Sequence, residues 1–321
     1  MEQTTKKDLI IVDALNLFYR TSGAEKTPPA LLKGKEVYLE FFNRYITMIE
    51  KLLEYLTPDG VLVMTYDGIP HRYKQSKSFF VSKEPTSLRR VKDPNYKVSR
   101  RLSKESQAFY NTMDLARYYL EFKPRNVYSI ASPRIEADDF VKPLIDHFTK
   151  EKQGCQVLLV SNDSDWYRWV TNDIVIMDGR GSDMVISNQD KLTAKFGFPV
   201  DDFSITMFKC IFGDASDDVE AAITPKSKQN VEAFKQLLLK VENFNELEAL
   251  ILDHNQEPFL KLLHENFLRV RINLQLVGSI PISPEQVENR LRRGSDKPVV
   301  LRAIKNVSGF DRTEPGINEL A

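Results

Sequence analysis

The sequence predicts an α/β protein: a mostly parallel central sheet flanked by helices, with a smaller helical region at the C-terminal end. Three observations carry this expectation. Five short runs, at residues 8–12, 61–66, 126–130, 156–160 and 173–177, are near-continuous in Val, Ile and Leu, as strands covered on both faces are. Helical patterns separate these runs. From about residue 200 onward the strand signal stops, and helical segments with polar connections take over.

The run at 8–12 leads into "VDALNLF" and ends on Asp13. Segment 36–56 places Val37, Phe41, Tyr45, Ile49, Leu52 and Leu56 three and four residues apart, one apolar face of a helix. The second strand, at 61–66, ends on Asp67. A basic insertion then occupies 71–112. After the third strand, "SPRIEADDF" opens a helix expected over 136–152. The fourth strand leads into "SNDSDW". The fifth is followed by "DGRGSD", a tight turn between short strands. Residues 188–196 read as a third helix. The chain therefore divides into an α/β domain at 1–200, a helical region at 201–310 and a loosely attached tail at 311–321.

Composition narrows the class. The formal net charge of zero predicts no whole-molecule attraction to a polyanion, so charge has to be read segment by segment. Two cysteines exclude a disulfide framework and a paired zinc knuckle. The N-terminus lacks signal-peptide features, and no apolar run approaches the ~20 residues of a membrane span. The expectation is a soluble, cytoplasmic protein with no membrane partner.

Parallel strands need crossover connections, which bring their carboxyl ends to one edge, where open α/β sheets bind ligands. Asp13, Asp67, Asp163 and Asp165 fall at that edge. Glu136, Asp138 and Asp139 begin the helix after the third strand, and "GDASDD" adds Asp214, Asp217 and Asp218. Taken singly, each has an ordinary explanation: a helix N-cap, a macrodipole partner or a solvated turn. Their recurrence at successive strand ends favours convergence. Converging carboxylates either raise each other's pKa or need cations. Hard divalent ions suit oxygen donors, and two of them ~4 Å apart suit phosphodiester hydrolysis.

The insertion carries Arg72, Lys74, Lys77, Lys83, Arg89, Arg90, Lys92, Lys97, Arg100 and Arg101 against only Glu84 and Asp93, interleaved with Tyr73, Phe79, Phe80 and Tyr96. A solvated basic loop is one reading. Beside an acidic cluster, a nucleic-acid strip is favoured, with cations on phosphates and rings on bases. His71 and His147 have no zinc-like spacing. Trp166 and Trp169 are expected to pack their helix.

The motifs "VDALNLF", "TYD", "EADD", "SNDSDW" and "GDASDD", in this order over about residues 6–230, resemble the flap endonuclease family. That family includes the 5′-nuclease domains of bacterial DNA polymerases, and the likeness is strongest to stand-alone phage-type 5′-nucleases. The resemblance implies a PIN-like domain with two divalent metal sites, holding Mg²⁺ with Mn²⁺ able to substitute. Asp13, Asp67, Asp138 and Asp163 would ligate the tighter ion, and Glu136 would be shared or act through water. Asp165, Asp214 and Asp217 would ligate the second ion. Asp139 matches an acidic position of bacterial and phage members, whereas Asp218 stands where the family has Asn and is not assigned. "YKVSR" resembles the family's Tyr-Lys-x-x-Arg arch motif, implying that Lys97 contacts the scissile phosphate and Arg100 assists.

The family's glycine-rich helix-turn-helix is replaced here by "VEAAITPKSKQNVEAF". This implies altered or weaker duplex binding, with Lys226 and Lys228 left to contact phosphate and Ser227 to cap the next helix. The nucleic-acid-binding set is then Arg72, Lys74, Lys77, Arg89, Arg90, Lys97, Arg100, Arg101, Lys226 and Lys228. The implied function is a metal-dependent, structure-specific 5′→3′ nuclease, acting on DNA and RNA–DNA duplexes with 5′ ends or flaps during primer removal. A single-strand-binding protein or polymerase would be its replication partner. The alternatives are a nucleic-acid-binding protein of the same fold with little or no cleavage, and a PIN-type ribonuclease acting on RNA alone.

Overall fold

The computed structural model describes residues 6–22, 28–32, 35–67, 107–120, 126–132, 135–150, 152, 154–179, 185–253 and 257–293. Most of the basic insertion and the C-terminal tail lie outside these residues. In chain order the elements begin β1 (Lys7–Asp13), α1 (Ala14–Ser22), β2 (Ala30–Leu32), β3 (Lys35–Val37), α2 (Leu39–Leu53), β4 (Leu56–Tyr66), α3 (Gln107–Leu120) and β5 (Val127–Ala131). A 3-10 turn (Ala137–Phe140) then enters α4 (Val141–Thr149), followed by β6 (Val157–Val160), a second 3-10 turn (Ser164–Trp169), β7 (Ile174–Asp178), β8 (Val185–Ser187) and α5 (Gln189–Phe196). The remainder is α6 (Asp202–Phe212), α7 (Lys228–Leu238), α8 (Phe244–Asp253), α9 (Pro258–Glu265), α10 (Phe267–Val277), α11 (Pro284–Arg290) and β9 (Arg292–Arg293).

Among the described residues the main sheet runs β8-β7-β6-β1-β4-β5-β9. β1 pairs in parallel with β4 and β6, and β4–β5 and β6–β7 are also parallel. Among the described residues of this sheet, only the edge strands β8 and β9 pair antiparallel. The chain moves outward from β1 to β4 and β5, then returns to the far side of β1 with β6. Strand order therefore reverses between β1 and β6, and the crevice beyond their carboxyl ends is the usual ligand position of such a sheet.

Alternation along each strand explains the near-continuous apolar runs. Leu9, Ile11, Val63, Ile130, Leu159 and Ile176 face one side, packed with α4 and the helices beyond residue 200. Ile10, Val12, Leu62, Met64, Leu158 and Met177 face the other, against α1, α2 and α3. The first of these cores extends without a break to Phe234, Leu263 and Val270. Residue 200 is therefore not an interruption in the packing. Among the described residues no helix is long and apolar enough to cross a membrane.

Three elements depart from expectation. The helix expected over 136–152 opens as the 3-10 turn Ala137–Phe140 and is α-helical only over Val141–Thr149. The helix expected over 36–56 is α2, Leu39–Leu53, because Lys35–Val37 pairs with Ala30–Leu32 as a small hairpin. Leu56 likewise begins β4, paired with Lys7 of β1. Val37 and Leu56 fit a helical spacing, but here the backbone hydrogen bonds of neighbouring strands claim them.

Candidate metal centre

Asp13 is the last residue of β1, Asp67 follows β4 and Asp163 follows β6. Glu136 caps the first 3-10 turn, which carries Asp138 and Asp139. Asp214 and Asp217 lie on the loop after α6. One carboxylate oxygen from each of Asp138, Asp163 and Asp165 lies within 4.8 Å of the other two. The same holds for Asp165, Asp214 and Asp217, so Asp165 belongs to both triads. Both donor sets are carboxylate oxygen alone, which matches a hard divalent cation and not a soft metal.

Local hydrogen bonds orient these side chains. The Asp163 carboxylate caps the second 3-10 turn, accepting from the Asp165 amide at 3.0 Å. Its own amide donates to Ser161 Oγ at 3.0 Å, and that hydroxyl donates to Asp13 Oδ2 at 3.1 Å. Asp13 Oδ1 accepts from the Asn16 amide at 2.9 Å, and Asn16 Oδ1 accepts from the Asn162 amide at 3.0 Å. The ends of β1 and β6 are thus tied together. Asp67 Oδ1 accepts from the Ala137 amide at 2.9 Å, which fixes the acidic turn against the end of β4. The Trp166 indole, fully buried, donates to Asp138 Oδ1 at 2.8 Å. Trp166 therefore packs the core as expected and also orients an acidic residue.

Glu136 and Asp139 form a reciprocal capping box. Asp139 also accepts from the Ile280 amide at 3.2 Å, and neither residue belongs to a triad. Asp13 and Asp67 lie outside the triads too, although both act on the same charge cluster. Burial, reinforced by Asp67 and Asp163, pushes the Asp13 carboxyl up to about 7 despite its hydrogen bonds from Asn16 and Ser161. Burial and the neighbouring Asp165 likewise raise Asp163.

Positive charge is already built into the second triad. Lys209 of α6 is buried, and its ammonium pairs with both Asp165 and Asp214, the latter at 2.6 Å. Burial disfavours its charge, yet the two carboxylates raise its pKa. Burial would raise Asp214 as well, but Lys209 and Ser216 outweigh it and hold that carboxyl below its ordinary value. Arg168, also buried, adds a bond to Asp165 at 3.1 Å. These side chains meet around concentrated negative charge, which is the environment a bound cation needs. Sequence reasoning missed Lys209; its signal is a lone charge within the apolar run "ITMFKCIF".

Of the predicted basic set, Arg72, Lys74, Lys77, Arg89, Arg90, Lys97, Arg100 and Arg101 lie outside the described residues. Lys226 is exposed, with its ammonium 4.2 Å from the Phe208 ring centroid. Lys228 is the exposed first residue of α7, which Ser227 caps through its hydroxyl, accepting from the Asn230 amide at 3.1 Å.

The family model for the 5'-3' exonuclease, N-terminal resolvase-like domain, matches residues 8–197. The chain belongs to this family. It is thus a phosphodiesterase of the 5′-nuclease class, whose members use metal ions. The segment matched to the exonuclease domain contains Asp13, Asp67, Glu136, Asp138, Asp163 and Asp165, and stops before Asp214 and Asp217. A 5'-3' exonuclease of Buchnera aphidicola subsp. Acyrthosiphon pisum (strain APS) is 24% identical over 209 residues, 65% of this chain and 67% of that protein. The fold is similar to the bacteriophage T5 D15 flap endonuclease in a pseudo-enzyme-product complex with DNA and metal ions, with TM-score 0.60, 16% identity and 97% of each chain covered. It is also similar to the catalytic core of Rad2 in complex with DNA substrate, with TM-score 0.53, 14% identity, and 98% of this chain and 93% of that one covered.

Proposed function

We propose that this exonuclease-family protein is a divalent-cation-dependent, structure-specific 5′→3′ nuclease that cuts DNA and RNA–DNA duplexes bearing 5′ ends or flaps, with primer and flap removal in replication as its setting. The observation that carries the proposal is the pair of carboxylate triads sharing Asp165. Mg²⁺ is the proposed ion, with Mn²⁺ able to replace it. Asp138, Asp163 and Asp165 hold one ion, completed by Asp13 and Asp67, with Glu136 acting through water. Asp165, Asp214 and Asp217 hold the other. Such a pair of ions activates water and stabilises the leaving oxygen in phosphodiester hydrolysis.

The chain's own residues do the positioning. Trp166 aims Asp138, Ser161 links Asp13 to the Asp163 turn, and Lys209 keeps Asp165 and Asp214 together. Asp139 serves the backbone of the acidic turn. Lys97 and Arg100 take the scissile phosphate and stabilise its developing charge. Arg72, Lys74, Lys77, Arg89, Arg90 and Arg101 follow the 5′ strand, and Lys226 and Lys228 meet the duplex backbone. The T5 structure with DNA and metal ions and the Rad2 structures with DNA support this reading.

The test is a labelled 5′-flap substrate incubated with Mg²⁺ or with chelator. Short 5′ products are expected with Mg²⁺ only, and binding should weaken steeply with salt. Asp163→Asn should abolish cutting and keep the gel shift. Cutting in chelator, or normal cutting by that variant, overturns the proposal.

A further inference from the structure

Asp214 and Asp217 share one loop, which follows α6. The loop closes on itself: the Asp214 amide donates to the Val219 carbonyl and the Val219 amide to the Asp214 carbonyl, each at 2.9 Å. One stem is the last turn of α6, where backbone carbonyls run out of helical partners. The other stem begins at Glu220. α10 packs against α6 and presents a polar side chain, Asn273, among the buried Val270, Leu276 and Val277. Asn273 is 0% exposed. Its Nδ2 donates to the Cys210 carbonyl at 2.8 Å and to the Glu220 carbonyl at 2.7 Å, one bond to each stem. Both N–H groups of the amide are thereby used. Its Oδ1 is buried with no hydrogen-bond partner among the described residues.

An amide at such a position is costly unless it is paired, and leucine would fill the space without an orphaned oxygen. The two donated bonds are the return. They staple the base of the loop, and the base sets where the carboxylates of Asp214 and Asp217 stand relative to Asp165.

We propose that Asn273 is a positioning residue of the Asp165–Asp214–Asp217 cation site, acting from α10 through the two stems of the loop. This rests on the cation-binding reading above. Partners one layer behind metal ligands commonly set affinity by about 10- to 100-fold.

The experiment titrates the full chain with Mn²⁺, following free ion by electron paramagnetic resonance, for wild type, Asn273→Leu, Asn273→Ser and Asp217→Asn. Wild type should bind two ions. Both Asn273 variants should keep a folded spectrum and hold one ion within about threefold of wild type, but lose about 10- to 100-fold in affinity for the other, as Asp217→Asn does. In flap cutting, kcat should fall with KM unchanged. Folded Asn273 variants that hold both ions at wild-type affinity, or lose both alike, overturn the staple alone. If both variants fail to fold, Asn273 is a core-stability residue and the proposal falls. A wild-type chain that binds no Mn²⁺ overturns the cation reading and the staple with it.

Discussion

Replacing Asp13 by Asn should make the cation-free protein more stable while impairing its chemistry. The wild-type carboxyl is buried and held at about 7 against an ordinary value of 3.8. The folded state therefore binds this proton more tightly than the unfolded chain does. Below 3.8 both states are protonated and the site costs nothing. As pH rises toward 7 the unfolded chain releases its proton first and the folded state loses ground, by about 4 kcal/mol at pH 8. Asn keeps an acceptor for the Asn16 amide but loses the charged acceptor of the Ser161 hydroxyl, a loss of about 1–2 kcal/mol. The net gain should be about 2–3 kcal/mol at pH 8, whereas at pH 4, where only the lost bond counts, the variant should be about 1 kcal/mol less stable than wild type. Urea unfolding in chelator across pH 4–8 measures both limits. A variant no more stable than wild type at pH 8, or a gain that does not change with pH, refutes the reasoning.

Asp114 on α3 is pushed up to about 6 by burial, against Lys35 and Arg117. By the same sign, Asp114→Asn should gain about 1 kcal/mol at pH 7.5, allowing for solvent screening, and nothing at pH 4; thermal melts at the two pH values test it. Trp166→Phe removes the donor to Asp138 and leaves space in a fully buried site. It should cost about 2–4 kcal/mol in denaturant unfolding and slow flap cutting by about 10- to 100-fold; an unchanged rate would remove Trp166 from the positioning of Asp138. At Gly213, φ is +74° and an added Cβ would meet the Val219 carbonyl oxygen at 2.6 Å and the Ala221 amide at 2.7 Å. Gly213→Ala should therefore destabilise by about 1–3 kcal/mol and weaken Mn²⁺ binding at the neighbouring Asp214; a neutral melt and titration would refute it.

Much of the fold was legible because its signals are local. An apolar run covered on both faces reads as a strand wherever it lies, and an Asp at its end reads as an edge residue. The helix 188–196 is α5, with Asn188 as its cap, accepting from the Lys191 amide at 3.1 Å. The start of α2 was misplaced because Val37 satisfies a helical spacing, and only its pairing with Ala30 makes it a strand residue. The candidate site was legible as a roster of carboxylates but not as a geometry. Asp165 appears in the sequence beside Asp163, yet its place in the first triad depends on the 3-10 turn that carries Asp138, and its place in the second on the loop after α6.

The sequence by itself determined the parallel α/β class, the acidic edge and the kind of cation such oxygens accept, since period, composition and donor type reside in short segments. Only the tertiary structure decided the roles of Lys209, Trp166 and Asn273. Each acts on a residue or carbonyl far from its own local pattern: Trp166 on Asp138, Lys209 on Asp165, Asn273 on Cys210. Burial turns a lysine, an indole N–H and an amide from solvated groups into obligatory partners, and that pairing exists only once distant helices have packed.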